Sequence, residues 1–221
     1  MPAFHSALFR HRDIERVIVN IGGIANLTHL PRTGPVRGFD TGPGNCLLDE
    51  WATAHSGSGE RFDRDGALAA GGVVVAPRLA AMLADPYFGL PAPKSTGRDH
   101  FNAAWLSRFI DSTLRPGDVQ ATLAALTAQS IANAIQRDCG VAQEVFVCGG
   151  GVHNHDLMQR LAAALPRRRI GSTAELGVDP DWVEAYAFAW LARCAVKGLP
   201  GNLASVTGAA GARVLGAIYP R

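Results

Sequence analysis

Two β-branched runs joined by a pair of glycines constrain the fold of this chain more than any other feature. The first run, residues 16–21 (RVIVNI), ends at Gly22 and Gly23, and an apolar pattern resumes over residues 24–30 (IANLTHL) before a proline. Apolar runs of this kind, bounded by glycine or proline, are typical of strands. The stretch therefore predicts a strand, a glycine turn and a second strand that is antiparallel to the first.

A single carboxylate follows a third short strand. After the turn-rich sequence PRTGP, residues 36–39 have a strand pattern, and Asp40 comes next in the run GFDTGPGN. Strand ends in α/β sheets carry ligand-binding loops, and the neighbouring glycines leave room for a substrate, so Asp40 is a candidate catalytic residue. An aspartate among glycine and proline can equally be a turn former that binds nearby amides. On the residues alone both interpretations stay open.

The rest of the chain alternates predicted helices and strands. Helical spacing is predicted over residues 45–57, in part over 65–83, and over 118–137, 154–164 and 179–198, and strands over 145–148 and 169–172. Residues 85–101 contain three prolines and two glycines and predict a long ordered loop, a kind of segment that often carries function. This alternation predicts an α/β domain.

Two glycine turns can present backbone amides to phosphate groups. NIGGIAN contains Gly22 and Gly23, and CGGGVHN contains Gly149, Gly150 and Gly151, each turn following a predicted strand. Amides at such turns bind phosphates in many nucleotide sites. An ordinary tight turn, for which glycine is also favoured, is the alternative in each case.

The last predicted helix carries a second candidate acid. Asp179 can cap this helix, Pro180 suits its first position, and the apolar residues that follow predict that it is mostly buried. A buried carboxylate must be paired, face a cleft or stay protonated. Glu184, in the first turns of this helix, is therefore either a satisfied structural acid or a functional one.

Composition and spacing exclude several classes of protein. A 48% hydrophobic and 18% charged composition is that of a soluble globular protein, and a net charge of +2 is too small to predict nucleic acid as a partner. With neither a secretory leader nor an apolar run long enough for a bilayer, we expect a cytoplasmic protein without a membrane partner. His153 and His155 have no third ligand at zinc spacing, so we expect no structural metal. The four cysteines are widely spaced and predicted to be reduced core thiols.

These motifs together resemble one family, anhydro-N-acetylmuramic acid kinase. The matching blocks are NIGGIANLTHL, GFDTGPGN with LLDEW, DPYFGLPAPKSTGRDHFN, DVQATLAALTAQSIA, CGGGVHN, EAYAFAWLA and GLPGNLASVTGA. The resemblance implies a ribonuclease-H-like fold of the actin, hexokinase and Hsp70 superfamily, with a mixed sheet flanked by helices. It also implies that ATP and Mg²⁺ are used to phosphorylate 1,6-anhydro-N-acetylmuramic acid while water opens the anhydro bridge. The product is N-acetylmuramic acid 6-phosphate, formed in murein recycling in the cytoplasm by homodimers.

The resemblance also implies roles for individual residues. Asp40 matches the family's general base, which activates water, and Glu184 matches a carboxylate near the sugar. The implied nucleotide contacts are Gly22, Gly23, Gly149, Gly150, Gly151 and Asn154. The implied sugar-site residues are Thr41, Gly42, Gly44, Asn45 and Lys94. The block from Lys94 to Arg98 either holds the sugar or braces the cleft.

One family motif has no counterpart in this sequence. Family members begin with a glycine-rich first phosphate loop in an N-terminal domain. The resemblance therefore assigns residues 1–221 mainly to the C-terminal ATPase-like domain, with residues 1–15 as a linking segment, and predicts that the chain alone binds nucleotide weakly and is inactive. The alternatives are a non-catalytic nucleotide-binding or dimerisation module, and another sugar or acid kinase of the same superfamily.

Overall fold

The computed structural model describes residues 1–55, 57 and 59–219. The strands are β1 (Arg16–Ile21), β2 (Ile24–Leu30), β3 (Arg37–Pro43), β4 (Glu144–Cys148) and β5 (Arg169–Ser172). The helices are α1 (Pro2–Phe9), α2 (Cys46–His55), α3 (Ala67–Ala70), α4 (Ala76–Leu83), α5 (Pro86–Gly89), α6 (Ala103–Leu106), α7 (Pro116–Asp138), α8 (His155–Ala164), α9 (Val183–Val196) and α10 (Ala204–Thr207). Short 3₁₀ turns lie at Arg64–Gly66, Gly150–His153 and Thr173–Leu176.

One mixed sheet of five strands forms the centre of the fold, in the order β3-β2-β1-β4-β5. β1 pairs antiparallel with β2, and β2 pairs antiparallel with β3. β4 pairs parallel with β1, and β5 pairs parallel with β4, with α8 as the crossover between those two strands. This is the ribonuclease-H-like arrangement, and the predicted hairpin over residues 16–30 is confirmed.

The two faces of the sheet bury different cores. In β1, Val17 and Val19 pack into the larger core, which contains α7 and α8, whereas Ile18 packs into a smaller core with α1 and α9. Successive side chains of a strand point to opposite faces, so both faces of β1 are covered by helices. The continuous apolar run of this strand is the pattern expected of such a position.

Residues 1–15 contribute to the core as well as leading into β1. In α1, Phe4 and Phe9 are buried, and the Nδ1 atom of His5 lies 2.9 Å from the hydroxyl of Thr28 on β2. Burial lowers the pKa of His5 to about 3, so this side chain is neutral at physiological pH. Sequence analysis predicted only a linking segment here, because eight residues are too few to establish a helical period.

One helix, α7, begins earlier than predicted, and another, α9, begins later. α7 begins at Pro116, and Asp118 lies inside its first turn, where the carboxylate accepts a hydrogen bond from the N–H of Val73 at 2.8 Å. α9 begins at Val183, and Asp179 instead accepts from the N–H of Asp181 at 2.9 Å in the preceding turn. Asp179 caps a local turn, whereas Asp118 accepts from a segment 45 residues away in the chain.

The cysteine prediction is confirmed, since all four thiols are free and buried. They are Cys46, Cys139, Cys148 and Cys194. Within the described ranges, no helix has the length and apolar character required to cross a bilayer.

Candidate active site

Asp40 lies within β3, not at the end of a strand as predicted. β3 continues to Pro43, and Asp40 pairs with Asn26 beside a bulge at Thr41, since Gly42 pairs with the next residue of β2, Ala25. On its other side, the N–H of Asp40 donates to the carbonyl of Lys94 at 3.0 Å. The prediction was wrong because glycine and proline usually end strands, whereas here Gly42 still pairs with Ala25 beyond the bulge.

The Asp40 carboxylate is fixed by the loop that follows α5. Its Oδ2 atom accepts a hydrogen bond from the N–H of Thr96 at 3.0 Å, and the Oδ1 atom accepts none from any described residue. Burial raises the pKa of Asp40 above the usual aspartate range, and the bond from Thr96 opposes that shift in part. One carboxylate oxygen is therefore positioned and the other is available to a ligand.

A row of polar residues crosses the sheet at the level of Asp40. Asp40 pairs with Asn26, Asn26 pairs with Asn20, and Asn20 pairs with Cys148. Residues paired on neighbouring strands point to the same face. Burial raises the pKa of Cys148 to about 12, and the negative charge of Glu184 adds to that shift, so Glu184 lies near the far end of the row. Three strand spacings of ~4.8 Å separate the two ends by roughly 14 Å.

The α9 helix is much more exposed than predicted. Its buried residues are Val183, Ala187 and Cys194. Phe188 is 71% exposed, and Glu184 is exposed in the first turn. The inference from burial that Glu184 must be paired, face a cleft or stay protonated therefore rests on a wrong premise. Its functional assignment depends on the family match and on its place beside the polar row.

The Gly22–Gly23 turn is attached to the start of α2 by three backbone hydrogen bonds. The N–H groups of Gly44 and Cys46 donate to the carbonyl of Gly23 at 2.9 and 3.0 Å, and that of Asn45 donates to Gly22 at 2.8 Å. The N–H groups of Gly22 and Gly23 themselves donate to no backbone or side-chain acceptor in the described part of the chain. The turn thus has its carbonyls satisfied and two amide donors free.

In the second glycine turn, two glycines pack against β1 and the third is exposed. Gly149 has a φ of +79°, and a methyl group there would lie 2.3 Å from the Oδ1 atom of Asn20. A methyl group at Gly151 would lie 2.3 Å from the side chain of Ile21. Both glycines are therefore explained by close packing against β1. Gly150 is exposed. A methyl group built at this glycine would lie 3.8 Å from the side-chain amide nitrogen of Asn45 and would meet no other described atom within 4 Å.

A cavity of about 710 Å³ lies beside this second turn. It is lined by Asn45, Leu48, Asp49, Arg61, Phe62, Asp63, Arg64, Asp65, Gly150, His153 and Asn154. The volume is that of a typical small-molecule site. The Oδ1 atom of Asn154 accepts from the N–H of Leu157 at 2.9 Å and caps α8, so Asn154 shapes the wall of this cavity.

The predicted sugar-site residues have different surroundings. Thr41, the extra residue of the β3 bulge, is buried, and its hydroxyl donates to the carbonyl of Ala25 at 3.2 Å. Gly42 has a φ of +149°, and a methyl group there would lie 2.6 Å from the ring of Phe88, which gives this glycine a packing role.

Lys94 lines a cavity of about 410 Å³ together with Asp40 and another of about 580 Å³ together with Thr41. Its ammonium group donates to the carbonyl of Tyr87 at 2.8 Å and lies 4.3 Å from the centre of the Tyr87 ring. Burial lowers the pKa of Lys94 to about 8, and the positive charge of Arg137 contributes to the same shift.

Sequence analysis missed Asp49, which lies one helical turn after Asn45. Its carboxylate lines the large cavity and accepts no hydrogen bond from the described residues. Burial raises the pKa of Asp49 to about 6, against the opposing positive charge of Arg98. The signal was the four-residue spacing in NCLLD, which places both side chains on one face of a helix.

The raised pKa of Asp49 predicts a pH-dependent stability. A carboxyl group that holds its proton more tightly when folded lowers the free energy of unfolding as pH rises from about 4 to about 6. We therefore expect Asp49→Asn to stabilise the chain by ~1 kcal/mol at pH 8, a value reduced for partial exposure, and to change nothing at pH 3.5. Urea denaturation at both pH values measures this. Glu50→Gln, one residue away and exposed, is the control, and an equal effect of Asp49→Asn at both pH values would contradict the assignment.

Comparison with known proteins gives one family. The family model described as anhydro-N-acetylmuramic acid kinase matches residues 1–221. An anhydro-N-acetylmuramic acid kinase from Thiobacillus denitrificans is 54% identical over 223 residues, covering 100% of this chain and 59% of the relative. One from Xanthomonas campestris pv. campestris is 56% identical over 221 residues, covering 100% of this chain and 58% of the relative. The chain thus spans about 60% of the length of these relatives.

Solved structures support the fold. The activator of the 2-hydroxyisocaproyl-CoA dehydratase from Clostridium difficile, with bound ADPNP, matches with a TM-score of 0.52 at 17% identity, covering 90% of this chain and 68% of the activator. Xylulose kinase from Rhodospirillum rubrum matches with a TM-score of 0.51 at 18% identity, covering 82% of this chain and 40% of the kinase. At these identities the likeness is one of fold.

Proposed function

The chain belongs to the anhydro-N-acetylmuramic acid kinase family, and from this premise we propose that it takes part in the ATP-dependent phosphorylation of 1,6-anhydro-N-acetylmuramic acid. The reaction opens the anhydro ring with water and gives N-acetylmuramic acid 6-phosphate for murein recycling in the bacterial cytoplasm. The observation that carries the proposal is the Asp40 carboxylate, which is fixed by Thr96 through one oxygen, has its other oxygen available, and lies in a motif that matches the family.

The Asp40 carboxylate is suited to act as a general base. A raised pKa makes a carboxylate a better proton acceptor. Asp40 takes one proton from water, the water oxygen bonds to the anomeric carbon, and the bond from that carbon to O6 breaks. O6 then attacks the γ-phosphorus, and ADP leaves. Glu184, on the same side of the sheet near the far end of the polar row, contacts the sugar.

The two glycine turns bind different parts of the nucleotide. The free amides of Gly22 and Gly23 bind phosphate oxygens, since such donors stabilise anions without any side chain. The 710 Å³ cavity, bounded by Gly150 and Asn154, receives the nucleoside. The activator with bound ADPNP and xylulose kinase are proteins of the same fold, which supports use of ATP by this chain.

The site fits a magnesium ion that has few protein ligands. In the described ranges, no three histidine, cysteine or acidic side chains are grouped as a metal site. Mg²⁺ at nucleotides keeps water and phosphate ligands and needs one or two carboxylates. Asp49, whose carboxylate faces the large cavity without a hydrogen bond, is the residue that would hold it, and the ion would neutralise the charge that develops on the phosphates.

A chimera tests the proposed function. The 221 residues replace the matching segment of the Thiobacillus denitrificans relative, and ADP release is measured with MgATP, with and without 1,6-anhydro-N-acetylmuramic acid. We expect sugar-dependent release within about tenfold of the parent enzyme, a difference of ~1.4 kcal/mol in the barrier. If ADP release does not depend on 1,6-anhydro-N-acetylmuramic acid but depends on another sugar in a panel, the chain has a different kinase activity of the superfamily. A folded chimera without any release would support the non-catalytic module.

We further propose that residues 1–221 form mainly the ATPase-like domain of this kinase and that two copies associate. Support for association comes from the apolar surface of α9, where Phe188 and Val196 are 71% and 76% exposed. Phe188 and Val196 lie about two turns apart on α9, and exposed apolar patches mark interaction surfaces.

The association proposal has a direct test. Size-exclusion chromatography with light scattering over a concentration series should show a rising dimer fraction for the 221-residue chain. Phe188→Ser should raise the dissociation constant of the dimer at least about tenfold, because a buried phenylalanine contributes ~1.5–3 kcal/mol. Val73→Ser, which is 67% exposed outside α9, is the matched control. A monomer at every concentration would contradict the proposal.

A further inference from the structure

Arg98 lies against the Gly22–Gly23 turn. A methyl group built at Gly23 would come within 3.2 Å of the Nη2 atom and 3.4 Å of the Nε atom of Arg98. The guanidinium therefore covers one side of the turn, and a side chain at position 23 would displace it by a few tenths of an ångström. Lysine or leucine could not serve the same geometry, because only arginine presents a planar fork of donors.

The Arg98 guanidinium has no partner of its own. None of its N–H groups donates to an acceptor in the described residues, and no carboxylate lies within ion-pair distance. The Asp49 charge acts on it only at longer range. An unpaired cation beside two free amide donors, those of Gly22 and Gly23, is the donor set that binds a phosphate group.

The segment that carries Arg98 also fixes the candidate base. The carbonyl of Lys94 accepts from the N–H of Asp40 at 3.0 Å, and the N–H of Thr96 donates to the Asp40 carboxylate at 3.0 Å. Arg98 is two residues further along, where the segment reaches the Gly23 turn. Residues 94–98 thus connect the acid that would activate water with the turn that would hold phosphate.

We propose that Arg98 binds the terminal phosphate of the nucleotide at the Gly22–Gly23 turn and positions it towards the acceptor held near Asp40. This inference rests on the proposed function, because it assumes that the turn binds nucleotide phosphates. The terminal phosphate is chosen because Arg98 is on the side of the turn from which the segment leads to Asp40. Bidentate contact by arginine would orient the phosphate as well as neutralise it.

NMR titration of the ¹⁵N-labelled 221-residue chain tests the inference even if binding is weak. MgATP, MgADP and AMP are added up to about 10 mM, a range that determines dissociation constants near 1 mM. We expect MgATP to shift the Gly22 and Gly23 amide resonances. Arg98→Ala should weaken MgATP binding about 10- to 100-fold, the range for a hydrogen bond to a charged group, and leave AMP binding unchanged. Arg98→Lys should recover part of the loss, and Arg12→Ala, at an exposed site in the ion pair with Asp13, is the control.

Each other outcome overturns a stated part of this picture. If MgATP binds and Arg98→Ala binds it as the wild type does, or loses AMP equally, Arg98 does not contact the terminal phosphate although nucleotide binding stands. If MgATP shifts resonances around the large cavity but not those of Gly22 and Gly23, the phosphate is not at this turn. If no nucleotide shifts any resonance, nucleotide binding by this chain fails and the inference fails with it. A dispersed spectrum of Arg98→Ala establishes that the variant is folded.

Discussion

Asp40→Asn in the chimera should lower the turnover number about 1,000-fold, within the range for loss of a general base. Asparagine has the same shape and can still accept the hydrogen bond from the N–H of Thr96, but it cannot take a proton from water. The KM for ATP should stay within about twofold, because the two glycine turns are untouched. Steady-state ADP release with and without the sugar measures both quantities.

The control for this substitution is Asp13→Asn, an exposed aspartate in the Arg12 ion pair, which should leave turnover unchanged. The pH profile gives an independent check. Turnover requires the Asp40 carboxylate, so it should fall as the pH is lowered through the pKa of this group, which burial raises above the usual aspartate value of about 3.9. The residual turnover of Asp40→Asn should lack this acid limb. Retention of wild-type turnover by Asp40→Asn would remove Asp40 from the reaction.

The sheet was largely predictable because its strands are bounded by strong local signals. A glycine pair follows β1 and three glycines follow β4, and both strands have the apolar pattern of a covered sheet. The extent of β3 was not predictable in the same way, since its edge is completed by the carbonyl of Lys94, which belongs to a later loop. A contact between distant segments leaves no local pattern at Asp40.

The burial of α9 shows where an apolar pattern misleads. A helix that is apolar all round is usually buried on every side. The sheet offers α9 only one face, however, and the residues it buries form a single stripe. Phe188 and Val196 remain on the outside, so the surroundings that decide the burial of Glu184 could not be deduced from the helix alone.

Within the site, the bulge in β3 was not predictable from strand periodicity. Asp40 and Gly42 pair with consecutive residues of β2, so Thr41 is an extra residue and the alternation of faces is interrupted there. The assignment of Thr41 to the sugar came from the family resemblance alone. The family match in turn assigned the glycines to ligand binding, although Gly149 and Gly151 are also required by packing against β1.

Gly44→Ala should destabilise the 221-residue chain by ~2–3 kcal/mol, the cost of overpacking a rigid site. A methyl group at this position would lie 2.3 Å from the carbonyl oxygen of Gly22 and 3.1 Å from the backbone nitrogen of Ala25. Backbone atoms cannot rotate away as a side chain does, so the Gly22–Gly23 turn or the start of α2 must move. Urea denaturation measures the loss, and the melting temperature should fall by roughly 5–10 °C.

Gly89→Ala is the matched control, because a methyl group there meets nothing within 4 Å, and its effect should stay within about 0.5 kcal/mol. Gly44→Ala should also weaken MgATP binding in the NMR titration. The N–H groups of residues 44–46 donate to the carbonyls of Gly22 and Gly23, and these hydrogen bonds hold the free amides of the turn in place. If Gly44→Ala is as stable as Gly89→Ala, the turn moves at no cost, and the start of α2 cannot be what fixes the phosphate-binding amides. A destabilised variant with unchanged MgATP affinity would instead separate the stability of the turn from its function.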